Sequence, residues 1–204
     1  GGTDKGEVYV YENQGGVWTQ LGSDIAGETN SSEFGCSVDI DGEGNYIVVG
    51  AKENDGGGTD RGSARVYKYS GTAWSQIGGD IDGEANNDEA FAVSITDNGD
   101  IVALGSSTND GGGTSSGSTR IYKFNGSWNK IGSDVDGLAA SELMGYNISL
   151  SNRSERDTII FYDTESGGTY ATNFSTHTSP TLQNGYGGNS SWNISSSSEV
   201  YRRI

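Results

Sequence analysis

One segment of this chain occurs three times, and nothing else about it narrows the fold as much. GTDKGEVYVYENQGGVWTQLGSDIAGE returns as GTDRGSARVYKYSGTAWSQIGGDIDGE and again as GTSSGSTRIYKFNGSWNKIGSDVDG. Trp18, Trp74 and Trp128 share one position in it, at steps of 56 and 54 residues, and Trp192 in NSSWNIS opens a decayed fourth copy. Self-similarity at a fixed period marks architectures whose units bury their apolar faces against neighbours.

Between the copies, SVDIDGEGNYIVVGA (Ser37 to Ala51) aligns without gaps on AVSITDNGDIVALGS (Ala92 to Ser106). Both are alternating apolar runs around a Gly, Asn and Asp turn, which is the pattern of a β-hairpin. A third copy keeps its strands in MGYNISL and TIIFY but replaces the tight turn with SNRSERD. Each unit reads as four short strands, typified by ARVYKY, WSQIGG, FAVSI and DIVALGS, with no helical periodicity. The expected fold is all-β, a propeller-like array of four-stranded blades with about 3.5 repeats. Boundaries drawn on the repeat fall at 1–51, 52–106 and 107–162, with 163–204 as a degenerate fourth repeat or capping tail.

FGCSVDIDGEGNYIVVGA, from Phe34 to Ala51, resembles the FG-GAP repeat, carrying its Phe-Gly opening and reaching its Gly-Ala-Pro ending without the Pro. GSARVYKY and WSQIGGDIDGE resemble the inter-hairpin parts of a secreted microbial and marine subgroup, so the likeness runs from Gly1 to Tyr162. Phe-Gly becomes Phe-Ala at Phe91 and Met-Gly at Met144. The resemblance implies a β-propeller and, as in integrin α-chain heads, a surface that docks protein partners. It also implies a calcium loop, for which Asp39, Asp41, Glu43 and Asn45 stand at alternate positions. Calcium needs enough chain to wrap six to eight oxygens around it, and this turn is tight; the second copy replaces the four with Ser94, Thr96, Asn98 and Asp100. No cofactor is therefore expected, with calcium at these four residues as the one candidate.

A net charge of -16 argues against nucleic acid and anionic membrane surfaces, whose binding needs clustered Lys and Arg. No apolar run reaches the length of a membrane span. With one Pro among 204 residues, the turns fall to Gly, Asn and Asp. The chain starts at Gly1 without a signal-like segment and reads as a mature or excised piece.

The Gly-rich runs NDGGGTDRG and NDGGGTSSG lack the Lys and following helix of a phosphate loop. They read as loops on one rim, with Asn54, Asp55, Asp60, Asn109 and Asp110 as ligand-facing candidates. The four Trp read as anchors between repeats, with sugar stacking as the alternative. Seven Asn-x-Ser sequons, at Asn30, Asn125, Asn147, Asn152, Asn173, Asn189 and Asn193, are candidate glycosylation sites. Neither the lone His177 nor the lone Cys36 carries the neighbours of a nucleophile or base, and the chain is expected not to be an enzyme.

The leading expectation is an extracellular, cell-surface or virion-surface domain for adhesion or recognition of a protein or glycan. A fibre subunit completed by further copies of itself is the alternative, and a glycan-processing enzyme ranks behind both.

Overall fold

The computed structural model describes residues 5–151 together with the backbone of four strand segments at 157–162, 169–174, 192–193 and 200–201. Every regular element among them is a strand. In chain order they are β1 (Glu7–Val8), β2 (Tyr11–Gln14), β3 (Val17–Gln20), β4 (Ile25–Ala26), β5 (Phe34–Ile40) and β6 (Tyr46–Ala51). Next come β7 (Ser63–Tyr69), β8 (Trp74–Gln76), β9 (Ile81–Asp82), β10 (Ala92–Ile95), β11 (Ile101–Ser106) and β12 (Ser118–Phe124). The last are β13 (Trp128–Asp136), β14 (Ile148–Leu150), β15 (Asp157–Tyr162), β16 (Thr169–Phe174), β17 (Trp192–Asn193) and β18 (Val200–Tyr201).

Two full sheets form the centre, in the orders β5-β6-β7-β8, with β9 also on β7, and β10-β11-β12-β13. Before them stands a half-sheet of two antiparallel ribbons, β1 with β4 and β2 with β3; after them β14, β15 and β16 form a third sheet, and β17 pairs with β18. All strand pairings in the sheets are antiparallel, so the fold is an all-β, propeller-like array of four-stranded units.

The sheets are out of phase with the repeat. β6 pairs with β7 from Tyr46↔Lys68 to Ala51↔Ser63, and β11 with β12 from Ile101↔Lys123 to Ser106↔Ser118, each across a Gly-rich loop. Of the four strands that typify one repeat, ARVYKY and WSQIGG thus join the first full sheet, while FAVSI and DIVALGS join the second. The Gly-rich loops fold the chain back onto its own strand, whereas the segments at 83–91 and 137–147 carry it to the next sheet.

The core lies between sheets. Val48, Val66 and Ile81 of the first full sheet pack with Val93, Ile95, Val102 and Leu104 of the second in one buried cluster. On its other face the first sheet sets Ile47, Val49 and Tyr67 against Ile25, Val8 and Val10 of the half-sheet. Ile101, Ile121 and Val135 meet Leu150 of the third sheet. Alternation was expected in these hairpins, but β6 and β11 are buried almost throughout, on both faces, and are continuous apolar runs.

Polar side chains join the first strands of successive sheets. Asp39 Oδ2 on β5 accepts the Ser94 hydroxyl at 2.8 Å and the Ile95 amide at 2.9 Å, and Ser37 Oγ accepts the Val93 amide at 3.2 Å. Ser94 Oγ on β10 in turn accepts the Leu150 amide of β14 at 3.0 Å. The tryptophans make a second seam. The Trp74 indole N–H donates to the Leu21 carbonyl at 2.8 Å, and that of Trp128 to the Ile77 carbonyl at 3.0 Å. Gly22 and Gly78 lie under these rings; a Cβ at Gly78 would come within 2.7 Å of the Trp128 ring, and its φ of +67° also favours glycine.

Candidate functional site

The two Gly-rich loops, at 52–62 and 107–117, are built alike. Asn54 and Asn109 are buried and turn their Oδ1 atoms to the amides of Gly56 and Gly111, at 2.9 and 2.8 Å. Asp55 Oδ1 accepts the Asp60 amide at 2.8 Å, and Asp110 Oδ1 the Ser115 amide at 2.7 Å. These four side chains hold the loops in shape.

Each loop is clasped by the segment that leads to the next sheet. Asn87 and Glu89 donate their amides to the carbonyls of Thr59 and Asp60, both at 3.0 Å. Ser141 and Leu143 donate theirs to Thr114 and Ser115, at 2.9 and 3.3 Å. Arg61 fastens the first clasp through Nη1 to the Gly57 carbonyl and Nη2 to the Glu84 carbonyl. Asp88 ties the rims of neighbouring sheets together: its carbonyl accepts the Thr108 hydroxyl at 2.6 Å and its carboxylate accepts Asn109 Nδ2 at 3.0 Å.

This rim concentrates the unusual backbone of the molecule. Among the described residues, the non-glycine positions with positive φ are Ser31, Glu33, Asp60, Asn87, Glu89, Ser115, Ser141 and Leu143, and all eight lie in the rim loops. They recur in register, 31 with 87 and 141, 33 with 89 and 143, 60 with 115. A left-handed conformation at a residue such as Leu143 is unfavourable and persists only where the surroundings hold it. Apart from Asp60, sequence reasoning passed over these positions because most are not the Gly or Asn that ordinarily signal such a conformation.

Beneath the rim the charges are unevenly matched. Arg65 donates Nε and Nη2 to the two Asp80 carboxylate oxygens, at 2.9 and 2.8 Å, and reaches Glu28 at 2.9 Å. Gln76 adds a fourth bond, to Asp80 Oδ1 at 2.8 Å. Burial by itself would raise the Asp80 pKa, but the bonds from Arg65 and Gln76 outweigh it and bring the carboxyl below its ordinary value. Asp82, two residues on, shifts the other way, raised by burial and by the like charge of Asp80. Arg120 is the counterpart of Arg65, and its Nε and Nη2 have no hydrogen-bond partner among the described residues. The matching carboxylate, Asp134, is bonded to Lys130 instead. The recurrence of Arg at 65 and 120 was the available sign of this pair.

The calcium candidates are not assembled into a site. Asp39 bridges to β10, Asp41 Oδ1 accepts the amides of Asn45 and Tyr46, and Glu43 accepts Asn45 Nδ2. Among the described residues no three His, Cys, Asp or Glu side chains are grouped to hold a metal ion. Trp74 and Trp128 sit between sheets, while Trp18 is 66% exposed. Asn30, Asn125 and Asn147 are exposed, as is Cys36 on β5. Asn152, Asn189 and His177 lie outside the described residues, and so do the side chains of Asn173, Trp192 and Asn193.

Residues 18–67 match the model of the FG-GAP repeat family. The chain carries an FG-GAP-type repeat. The matched stretch begins at the first repeat tryptophan and includes the hairpin β5–β6 and most of β7. No curated protein matches the chain. Among solved structures it is similar to the periplasmic gluconolactonase PpgL of Pseudomonas aeruginosa, with 15% identity and a TM-score of 0.49 over 83% of this chain. The aligned part spans 46% of that structure's length. The similar protein is an enzyme, which overturns the expectation that this chain is not one. One scaffold hosts both binders and catalysts, so lack of a nucleophile motif was insufficient ground for that expectation. At this level of likeness neither substrate nor reaction carries over.

Proposed function

We propose that the clasped rim is a recognition surface through which the domain adheres to a protein or glycan partner outside the cell. The observation that supports this reading is the set of eight positive-φ residues held in register along one rim. Strained backbone gathered at one edge of a regular array is characteristic of surfaces kept in a fixed shape for a partner. Asp55, Thr59, Glu84, Asp110 and Thr114 are exposed there, giving an acidic and hydroxyl-bearing face. Such a face suits a cationic protein patch or the hydroxyls of a sugar.

The test is binding of the intact chain to a glycan array and to surface-exposed proteins, compared with a Thr59→Lys/Thr114→Lys variant. Both threonines are exposed and lend only their carbonyls to the clasps, so the variant should melt like the parent. The expected result is binding that weakens with salt and is lost in the variant. Binding that the two lysines leave unchanged would remove the rim from the account.

A further inference from the structure

Arg120 carries a pair of donors whose use the molecule shows one repeat earlier. Nε and Nη2 of Arg65 grip the two oxygens of the Asp80 carboxylate, at 2.9 and 2.8 Å. The same two atoms of Arg120, a residue 5% exposed, are buried and without a hydrogen-bond partner among the described residues. Two carboxylates stand where partners would be expected, and both are turned elsewhere. Asp134 is bonded to Lys130, and Glu84, the counterpart of Glu28, lies 3.4 Å from Asn109 Nδ2. A guanidinium cannot shed its proton to relieve this, so its donors keep their need for an acceptor.

The setting suits an anion from solution. Thr119 pairs with Val135 and Ile121 with Ile131, so residues 132–134 bulge out of the ladder opposite Arg120. β13 is the outer strand of its sheet, and the Lys130 side chain on it is 43% exposed. A bulge is a segment whose ladder bonds are already disrupted, so it can yield to admit a small molecule from that edge. Arg120, Lys130 and Asp134 together leave one positive charge, which a single monoanion neutralises; Arg65 already faces both Asp80 and Glu28. A planar group with two oxygens matches the guanidinium fork, as Asp80 matches that of Arg65.

We propose that the Arg120 fork binds the carboxylate of a small organic acid, which enters past the bulge at 132–134 and bonds Nε and Nη2 as Asp80 bonds those of Arg65. The Lys130–Asp134 pair holds the chain's own carboxylate away from the fork and so keeps the site for a ligand. Rim and fork are separate features, and neither reading depends on the other.

The probe is acetate, titrated at constant ionic strength into the intact, isotope-labelled chain while the arginine Nε–H resonances are followed by NMR. The Arg120 resonance should shift and saturate at millimolar acetate, and that of Arg65, already bonded to Asp80, should stay in place. Lys130→Gln alters an exposed side chain and frees Asp134 to occupy the fork, so acetate should bind that variant at least tenfold more weakly. Arg120→Lys keeps the charge without the planar fork and should not saturate; if it fails to fold, Lys130→Gln decides alone. Sulfate or phosphate saturating the Arg120 resonance at lower concentration than acetate would overturn the carboxylate in favour of a tetrahedral oxyanion. Equal shifts at Arg65 and Arg120, no saturation up to half-molar acetate, or binding that Lys130→Gln leaves unchanged would overturn the site itself.

Discussion

Arg65 and Arg120 occupy the same step of consecutive repeats and are buried alike, at 2% and 5% exposure, yet their surroundings treat them differently. Arg65 meets a carboxylate that a neutral neighbour, Gln76, helps to orient. Around Arg120 the neighbour is Lys130, a competing cation, and Asp134 goes to it. The neighbour changes from Gln76 to Lys130, and Arg65 alone also reaches a second carboxylate, Glu28. Buried guanidinium donors without partners are costly, so among the described residues the array contains one well-knit and one less satisfied copy of the same junction.

The largest effect is expected from Asp80→Ala. It would leave Arg65 buried without its main partner and lower unfolding free energy by about 2–3 kcal/mol, less than for a fully buried pair because Asp80 itself is partly exposed. Asp134→Ala should cost under about 1 kcal/mol, since its partner Lys130 reaches solvent. Urea denaturation of the two variants compares them directly, and equal losses would break the contrast. Lys130→Gln should release Asp134 to Arg120, recreate the first junction in the second sheet, and raise stability by about 1–2 kcal/mol. A loss of stability would mean that Arg120 is accommodated without a carboxylate.

The tryptophans extend the comparison to an edge and an interior copy. Trp74→Phe removes the indole bond to the Leu21 carbonyl and should cost about 1 kcal/mol, whereas Trp18→Phe should be close to neutral; thermal melts of both decide it. The smallest effect is on pH. With its folded pKa lowered, Asp80 contributes stability that is present above the unfolded value and lost as pH falls through the lower folded one. Asp82, with its folded pKa raised, contributes in the opposite sense: full below the unfolded value, lost as pH rises through the folded one. Asp80→Asn should therefore flatten acid destabilisation below about pH 4, and Asp82→Asn should not. An unchanged acid limb in Asp80→Asn would place the sensitivity elsewhere.

Much of this was readable in the residues. The hairpins around Gly44 and Gly99 follow from apolar runs flanking a tight turn, and the shared position of Trp74 and Trp128 follows from the repeat step. The pairing across the Gly-rich loops was not readable, because local patterns identify strands without saying which edge each will meet. The rim's conformation was hidden for a related reason: Glu89 and Leu143 take left-handed backbone because neighbouring segments hold them, not through any preference of their own. Asp39 looked like a metal ligand because carboxylates spaced along a strand carry the same letters whether they meet an ion or a neighbour's amides.

The offset between repeat and sheet makes each covalent unit a lap joint. The boundary between residues 51 and 52 falls inside the first full sheet, between β6 and β7, so cutting there separates a hairpin from the strands that complete it. No single repeat can close its own sheet, and the smallest part able to melt as a unit is larger than the smallest part that is repeated. Deleting a whole repeat would leave a shorter array with every remaining joint intact, whereas deleting half of one would open two.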